Sequence, residues 1–143
     1  MERPRPRPGL YDDPFWAYAA NGELRLQNCD RCGAHRYPPG PSCPDCGAEE
    51  ATWSALSGRG ELLSWTTFHR QYFPNFPAPY VVAAVRTAEG PILIGNVVGA
   101  QASDLVLSME MTAVFEEVED LDGTWRICQW QPVANSMREE NRS

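Results

Sequence analysis

The stretch "NCDRCGAHRYPPGPSCPDCG", residues 28–47, restricts this chain more than any other, because it holds four of the five cysteines as two Cys-x-x-Cys-Gly units. A Cys-x-x-Cys turn brings two sulfurs close enough to share one ion. The glycine that follows each pair, Gly33 and Gly47, permits the tight backbone in which amides can point at those sulfurs. Cys29, Cys32, Cys43 and Cys46 therefore form a complete four-thiolate shell of the kind Zn²⁺ prefers. A shell with no open position cannot activate water, so the expected role of the ion is structural. Iron on the same four thiolates is one alternative, and a redox or disulfide pairing is another. A redox dithiol usually comes as a single pair beside a βαβ pattern, which is absent here. The loop between the pairs has room for a short hairpin turning at "PPGP".

Such a module has too little apolar material to fold alone, and metal binding can supply about 10 to 16 kcal/mol toward its folding. The full chain of 143 residues allows one compact domain beside it. With 11 glycines, 13 prolines and 22% charged residues, that domain reads as a turn-rich β fold. The formal net charge is −7, Lys is absent, and the arginines are scattered, with three in the first seven residues. Loading Zn²⁺ on four thiolates makes the chain two units more negative. So acidic a chain repels a phosphate backbone unless its cations are concentrated on one face. The opening "MERPRPRPGL" lacks the apolar centre of a signal peptide, and no run approaches a membrane span. The expected location is the cytoplasm, where thiols stay available to metal.

Along the chain, residues 1–11 read as a flexible Arg/Pro leader and 12–23 as a short helix. In that helix Asp12 or Asp13 can cap, Pro14 suits the first position and Asn21-Gly22 stops it. Its aromatic face, with Phe15 and Trp16, is too short to stand alone and must dock on the chain's own barrel or on a partner. Residues 24–52 make the zinc ribbon, entered by a strand through Leu24 and Leu26. Residues 53–133 make the second domain, with strands expected at 61–69, 79–88, 91–98, 109–119 and 124–131. Hairpin turns fall at Glu89-Gly90 and Asp122-Gly123. The third and fourth strands are separated by "GAQASDLVLS", where one helical turn fits. Five antiparallel strands in so short a segment suit a small closed, OB-like Greek-key barrel, because closure removes exposed edges. Residues 134–143 read as a polar tail. The fold class is mainly β: a short N-terminal helix, a zinc ribbon and a five-stranded OB-like barrel.

These residues resemble a known family of bacterial and archaeal proteins in which a rubredoxin-like zinc ribbon precedes an OB-fold, long classed as a domain of unknown function. The resemblance runs from about Phe15 to Pro132. It rests on "FW", "GELRLQNC", the ribbon itself, "WSALSGRGELLSWTTFH", "FPAPYVVAAV" and "GNVV". It implies a non-catalytic accessory subunit that complexes with thiolase-superfamily enzymes of acyl-CoA and lipid metabolism: thiolases, acyltransferases or side-chain-cleaving aldolases. Some relatives partner MaoC-like enoyl-CoA hydratases instead. The implied ligand is acyl-CoA, the implied cofactor structural Zn²⁺, and the implied assembly a hetero-oligomer without nucleic acid or membrane. The chain departs from the pattern at "LSMEM", where Ser108 stands at a position that is often Gly.

The residue chemistry agrees with a non-catalytic role. His35 lies in the ribbon loop beside a shell already complete, and His69 has no evident nucleophile to serve. Cys128 reads as a small buried hydrophobe. The loop 69–80 carries His69, Arg70, Tyr72, Phe73, Phe76 and Tyr80 among three prolines. Its aromatics can stack on an adenine and its arginine can meet phosphate, or the same residues can anchor a protein partner, a role also open to Phe15 and Trp16. The aromatics can equally pack on their own barrel. A single-stranded nucleic-acid-binding OB and ribbon module is the alternative from another class, and it requires a basic groove.

Overall fold

The structure is a computed structural model and describes residues 4–7, 9–74 and 76–133. The expected polar tail lies outside the described residues. Helix α1 spans Asp13–Ala20, with Pro14 in its first turn and Asn21 at its C-terminal cap. The Asp12 side chain makes no helix-capping bond and instead accepts the amide of Gly9. At the other end the Asn21 and Gly22 amides bond back to Tyr18 and Ala19, which satisfies carbonyls that the helix leaves open.

Three strands follow: β1 (Arg25–Cys29), β2 (His35–Arg36) and β3 (Ala51–Ala55). They form an antiparallel sheet in the order β2-β1-β3. No strand is expected at "ATWSA" from the sequence. The segment pairs along its whole length with β1, from Arg25 opposite Ala55 to Cys29 opposite Ala51.

The second sheet contains β4 (Arg59–Phe68), β5 (Tyr80–Thr87), β6 (Ile92–Asn96), β7 (Glu110–Asp120) and β8 (Gly123–Pro132). Its order is β6-β5-β4-β7-β8, all neighbours antiparallel. Each strand expected from alternation is present, both hairpin turns lie where expected, and the helical turn between β6 and β7 is a 3₁₀ turn at Ala102–Asp104. Gly60 is required where β4 crosses β5, since a Cβ there would sit 2.6 Å from the Arg86 carbonyl oxygen.

The expected closed barrel needs correction. No continuous ladder joins β6 to β8; the two edges meet at one parallel bridge, Val97 with Trp130, where the Val98 amide donates to the Trp130 carbonyl. Side chains take over beyond it. Buried Gln129 accepts the Asn96 amide at 2.7 Å and donates to Glu116 at 3.0 Å. Elsewhere along the seam, Phe15, Trp16 and Tyr37 line a cavity of about 140 Å³ together with Ile94, Ile127 and Cys128. Helix and ribbon thus flank the line along which a ladder would run, and the sheet is OB-like but open. Leu62, Val85, Met111 and Trp130 form the centre of its core, and Leu24, Leu26 and Leu56 from the ribbon side belong to the same cluster. Among the described residues, no helix is long and apolar enough to cross a membrane.

Candidate metal centre and loop surface

Two near-identical turns build the metal centre. In the first, the Cys29 amide bonds to the Ala34 carbonyl at 2.8 Å and the Gly33 amide to the Cys29 carbonyl at 2.9 Å. The second repeats this with Cys43, Ala48 and Gly47 at the same distances. Gly33 and Gly47 both have φ of +79°, and neither position would crowd a Cβ, so backbone conformation alone explains these glycines. The four sulfurs lie within 4.8 Å of one another. Cys29 and Cys46 are 3.6 Å apart and Cys32 and Cys43 are 3.5 Å apart. A tetrahedron with Zn–S bonds of about 2.3 Å has edges of about 3.8 Å. The shell fits zinc.

The turns also prepare the sulfurs for a cation. The amide of Cys32, and after it that of Arg31, points at Cys29 and brings its thiol down to about 6. The Cys46 amide, then that of Asp45, lowers Cys43 in the same way. Cys32 accepts the Ala34 amide, which lowers it, but the crowding of Cys43, burial and the other two sulfurs outweigh this and raise it to about 12. Four thiolates this close repel one another, and a divalent cation at their centre removes that repulsion.

The remaining chemistry-bearing residues of the ribbon stand outside the shell. The His35 Nε2 lies 3.4 Å from both Asn28 Nδ2 and Ser54 Oγ. Cys128 sits at the seam of the barrel, where burial raises its thiol to about 12. Two residues with a part in the ribbon escape the sequence. Gln27 holds both backbone groups of Gly40, and Arg36, 2% exposed, reaches the carbonyls beyond the second turn. Arg36 lies in a two-residue strand, too short for any period to report its burial.

The loop between β4 and β5 divides into two halves. His69, Arg70, Tyr72 and Phe73 face solvent, with Tyr72 56% and Phe73 48% exposed. Phe76 and Tyr80 are half-buried, their rings 4.4 Å apart, and Tyr80 stacks on Phe68 at 5.2 Å. The guanidinium of Arg70 lies 5.3 Å from the centre of the Tyr72 ring. Gln71 braces the turn by donating to the carbonyls of Phe73 and Pro74. Behind the loop, Thr67, Pro79, Tyr80, Val97 and Gln101 line a cleft of about 420 Å³. Phe15 and Trp16 occupy a separate place: Phe15 packs on the barrel core, and Trp16 meets Trp125 edge-on at 6.0 Å. At that same end Arg5 forms a two-pronged pair with Asp120, 2.7 Å on each prong. Arg5, then the Asp122 amide and the Trp125 indole, brings the Asp120 carboxyl down to about 2 against the opposing effect of burial.

Comparison with known proteins adds to this geometry. Residues 16–51 match the family described as ChsH2, rubredoxin-like zinc ribbon domain, and residues 53–116 match ChsH2, C-terminal OB-fold domain. A probable enoyl-CoA hydratase alpha subunit of Thermomonospora curvata is 36% identical over 80% of this chain, which spans 37% of that relative's length. A DUF35 domain-containing scaffold protein of Methanocaldococcus jannaschii is 30% identical, over 64% of this chain and 67% of its own length. Among solved structures, one described as the Ltp2-ChsH2(DUF35) aldolase superposes with a TM-score of 0.76 at 31% identity, covering 90% of this chain and 98% of the other.

Proposed function

The chain belongs to the ChsH2 (DUF35) family of zinc ribbon and OB-fold proteins, and from that premise we propose that it is a non-catalytic accessory subunit of an acyl-CoA enzyme. The observation that carries this reading is the division of labour in the molecule. The metal centre found among the described residues has all four positions filled by thiolates and offers no site for chemistry, while the exposed aromatic and cationic groups of the 69–80 loop stand beside an open cleft. The catalytic partner is a thiolase-superfamily subunit. A hydratase partner is the second reading, favoured by the name of the Thermomonospora relative.

In this scheme the loop lies at the join with the partner, where Tyr72 and Phe73 together anchor that subunit and the loop receives the nucleotide end of an acyl-CoA enclosed between the two chains. Tyr72 and Phe73 offer ring faces to adenine, and Arg70 offers a charge-assisted hydrogen bond to phosphate. The cleft behind them, about 420 Å³, is near the lower end of ligand-sized cavities, so the chain alone encloses only part of such a ligand. The partner supplies the rest of the enclosure and the reacting groups. Phe15 and Trp16 contribute indirectly by fixing the seam on which α1 rests.

The test is acyl-CoA use by the assembled complex. Arg70→Ala or Tyr72→Ala weakens it by about 1 to 3 kcal/mol through loss of one charge-assisted hydrogen bond or one stacked ring. Single-stranded oligonucleotides bind negligibly near physiological salt. Tight, salt-sensitive oligonucleotide binding with no effect of either substitution on acyl-CoA use would instead favour a nucleic-acid module.

A further inference from the structure

Arg36 presents an electrostatic problem. It is 2% exposed, and among the described residues no carboxylate pairs with it. Its guanidinium is held by backbone oxygens only. Nη2 donates to Ala48 at 2.8 Å and to Glu50 at 3.4 Å, while Nη1 donates to Glu49 at 3.3 Å and to Gly40 at 3.5 Å. Its buried Nε has no partner. A full positive charge removed from water and met only by carbonyl dipoles is costly unless an anion lies near. The four-thiolate shell supplies one, because a divalent ion on four thiolates carries two net negative charges.

The two are joined through a single carbonyl. The Ala48 oxygen that accepts Arg36 Nη2 also accepts the Cys43 amide at 2.8 Å. Cys29, Cys43 and Ala48 form one buried cluster, and β2 carries Arg36 between the two cysteine turns. An arginine suits the place better than a lysine in one respect, since only a planar fork reaches carbonyls on both the 40 and the 48–50 segments.

We propose that Arg36 is the built-in counter-ion of the metal–tetrathiolate centre, and that its charge, beyond the segments it ties together, sets how firmly the ribbon keeps its ion. The inference rests on the zinc reading of the cysteines and is independent of any partner.

Two substitutions separate charge from tethering. Arg36→Gln keeps a hydrogen-bond donor and removes the charge; Arg36→Lys keeps the charge and gives up the fork. In the metal-loaded protein, zinc release to excess chelator becomes about 10-fold or more faster in Arg36→Gln, the scale seen when groups around a metal's ligands are lost. Arg36→Lys stays near the wild-type rate. With Co²⁺ in place of zinc, the sulfur-to-metal charge-transfer band of Arg36→Gln moves to longer wavelength, because the sulfur electrons lose the stabilisation of a nearby positive charge; loss of a tether would not move it in that direction. If Arg36→Gln cannot be loaded and Arg36→Lys can, the charge requirement also stands. Equal release from wild type and Arg36→Gln, equally fast release from both variants, or failure of both to take up metal would overturn the proposal.

Discussion

Cys29, Cys43 and Ala48, with Ala34 against them, are the whole apolar cluster described at the centre of the ribbon, whereas the open OB-like barrel packs around Leu62, Val85, Met111, Trp130 and their neighbours. The ribbon's other internal ties are polar: Gln27 to Gly40, and Arg36 to four carbonyls. The barrel's seam is polar too, but there Gln129 and Asn96 supplement a large apolar core. A region without a core of its own depends on its ion, and a region with one does not. The difference also divides the work. In the proposed scheme the ribbon builds the molecule and the barrel's loop meets others. Leu24, Leu26 and Leu56 tie the two together by placing ribbon-side residues in the barrel's core.

The largest way to sharpen this contrast is to take the metal away. Chelation, or Cys43→Ser, removes a contribution on the order of 10 kcal/mol from the ribbon. Amide hydrogen exchange is expected to show β1, β2 and β3 losing protection while the central barrel strands β4, β5 and β7 keep theirs. The reverse lesion is Trp130→Ala, which opens a large cavity in the barrel and costs about 3 to 5 kcal/mol by denaturant titration, with one equivalent of zinc retained. Loss of zinc in that variant would show that the two regions are not separable.

Smaller effects probe the edges of the barrel. Asp120 titrates near 2 in the folded chain and near 4 when unfolded, so its pairing with Arg5 stabilises fully above pH about 4 and is lost as the pH falls through about 2. The gap in denaturation midpoint between wild type and Asp120→Asn is therefore largest near neutrality and shrinks on acidification. The smallest change expected is a gain. Ser108 has φ of +66°, in the left-handed region, so Ser108→Gly stabilises the barrel by about 1 kcal/mol or less.

That serine shows how legibility in the sequence varied. Its departure from the family pattern is visible in "LSMEM", but the strain behind it appears only when Ser108 is seen donating its amide to the Leu62 carbonyl in the crossing between β6 and β7. The strands β4 to β8 were readable because residues alternate between core and solvent and because Glu89-Gly90 and Asp122-Gly123 end them. The metal shell was readable from spacing, since two Cys-x-x-Cys-Gly turns have few other uses. Strand β3 was not, because "ATWSA" is small and weakly alternating and becomes a strand through its pairing with β1. The open seam was hidden for a similar reason: it depends on α1 and Tyr37 lying beside β8, a tertiary fact with no local signal. The burial of Arg36 follows from which carbonyls surround it.

The central claim is that the barrel's loop, and not the ribbon, meets a catalytic partner. It is tested most directly by co-expressing the chain with the products of its neighbouring genes and measuring the mass of the complex by light scattering after sizing. Wild type is expected to elute as a hetero-oligomer with a thiolase-superfamily or hydratase subunit. The Tyr72→Ala/Phe73→Ala double variant should carry full zinc and elute free of that subunit, having lost the two most exposed aromatic anchors of the loop. Undiminished assembly of the double variant, or a wild-type chain that ignores every such subunit, would contradict the account.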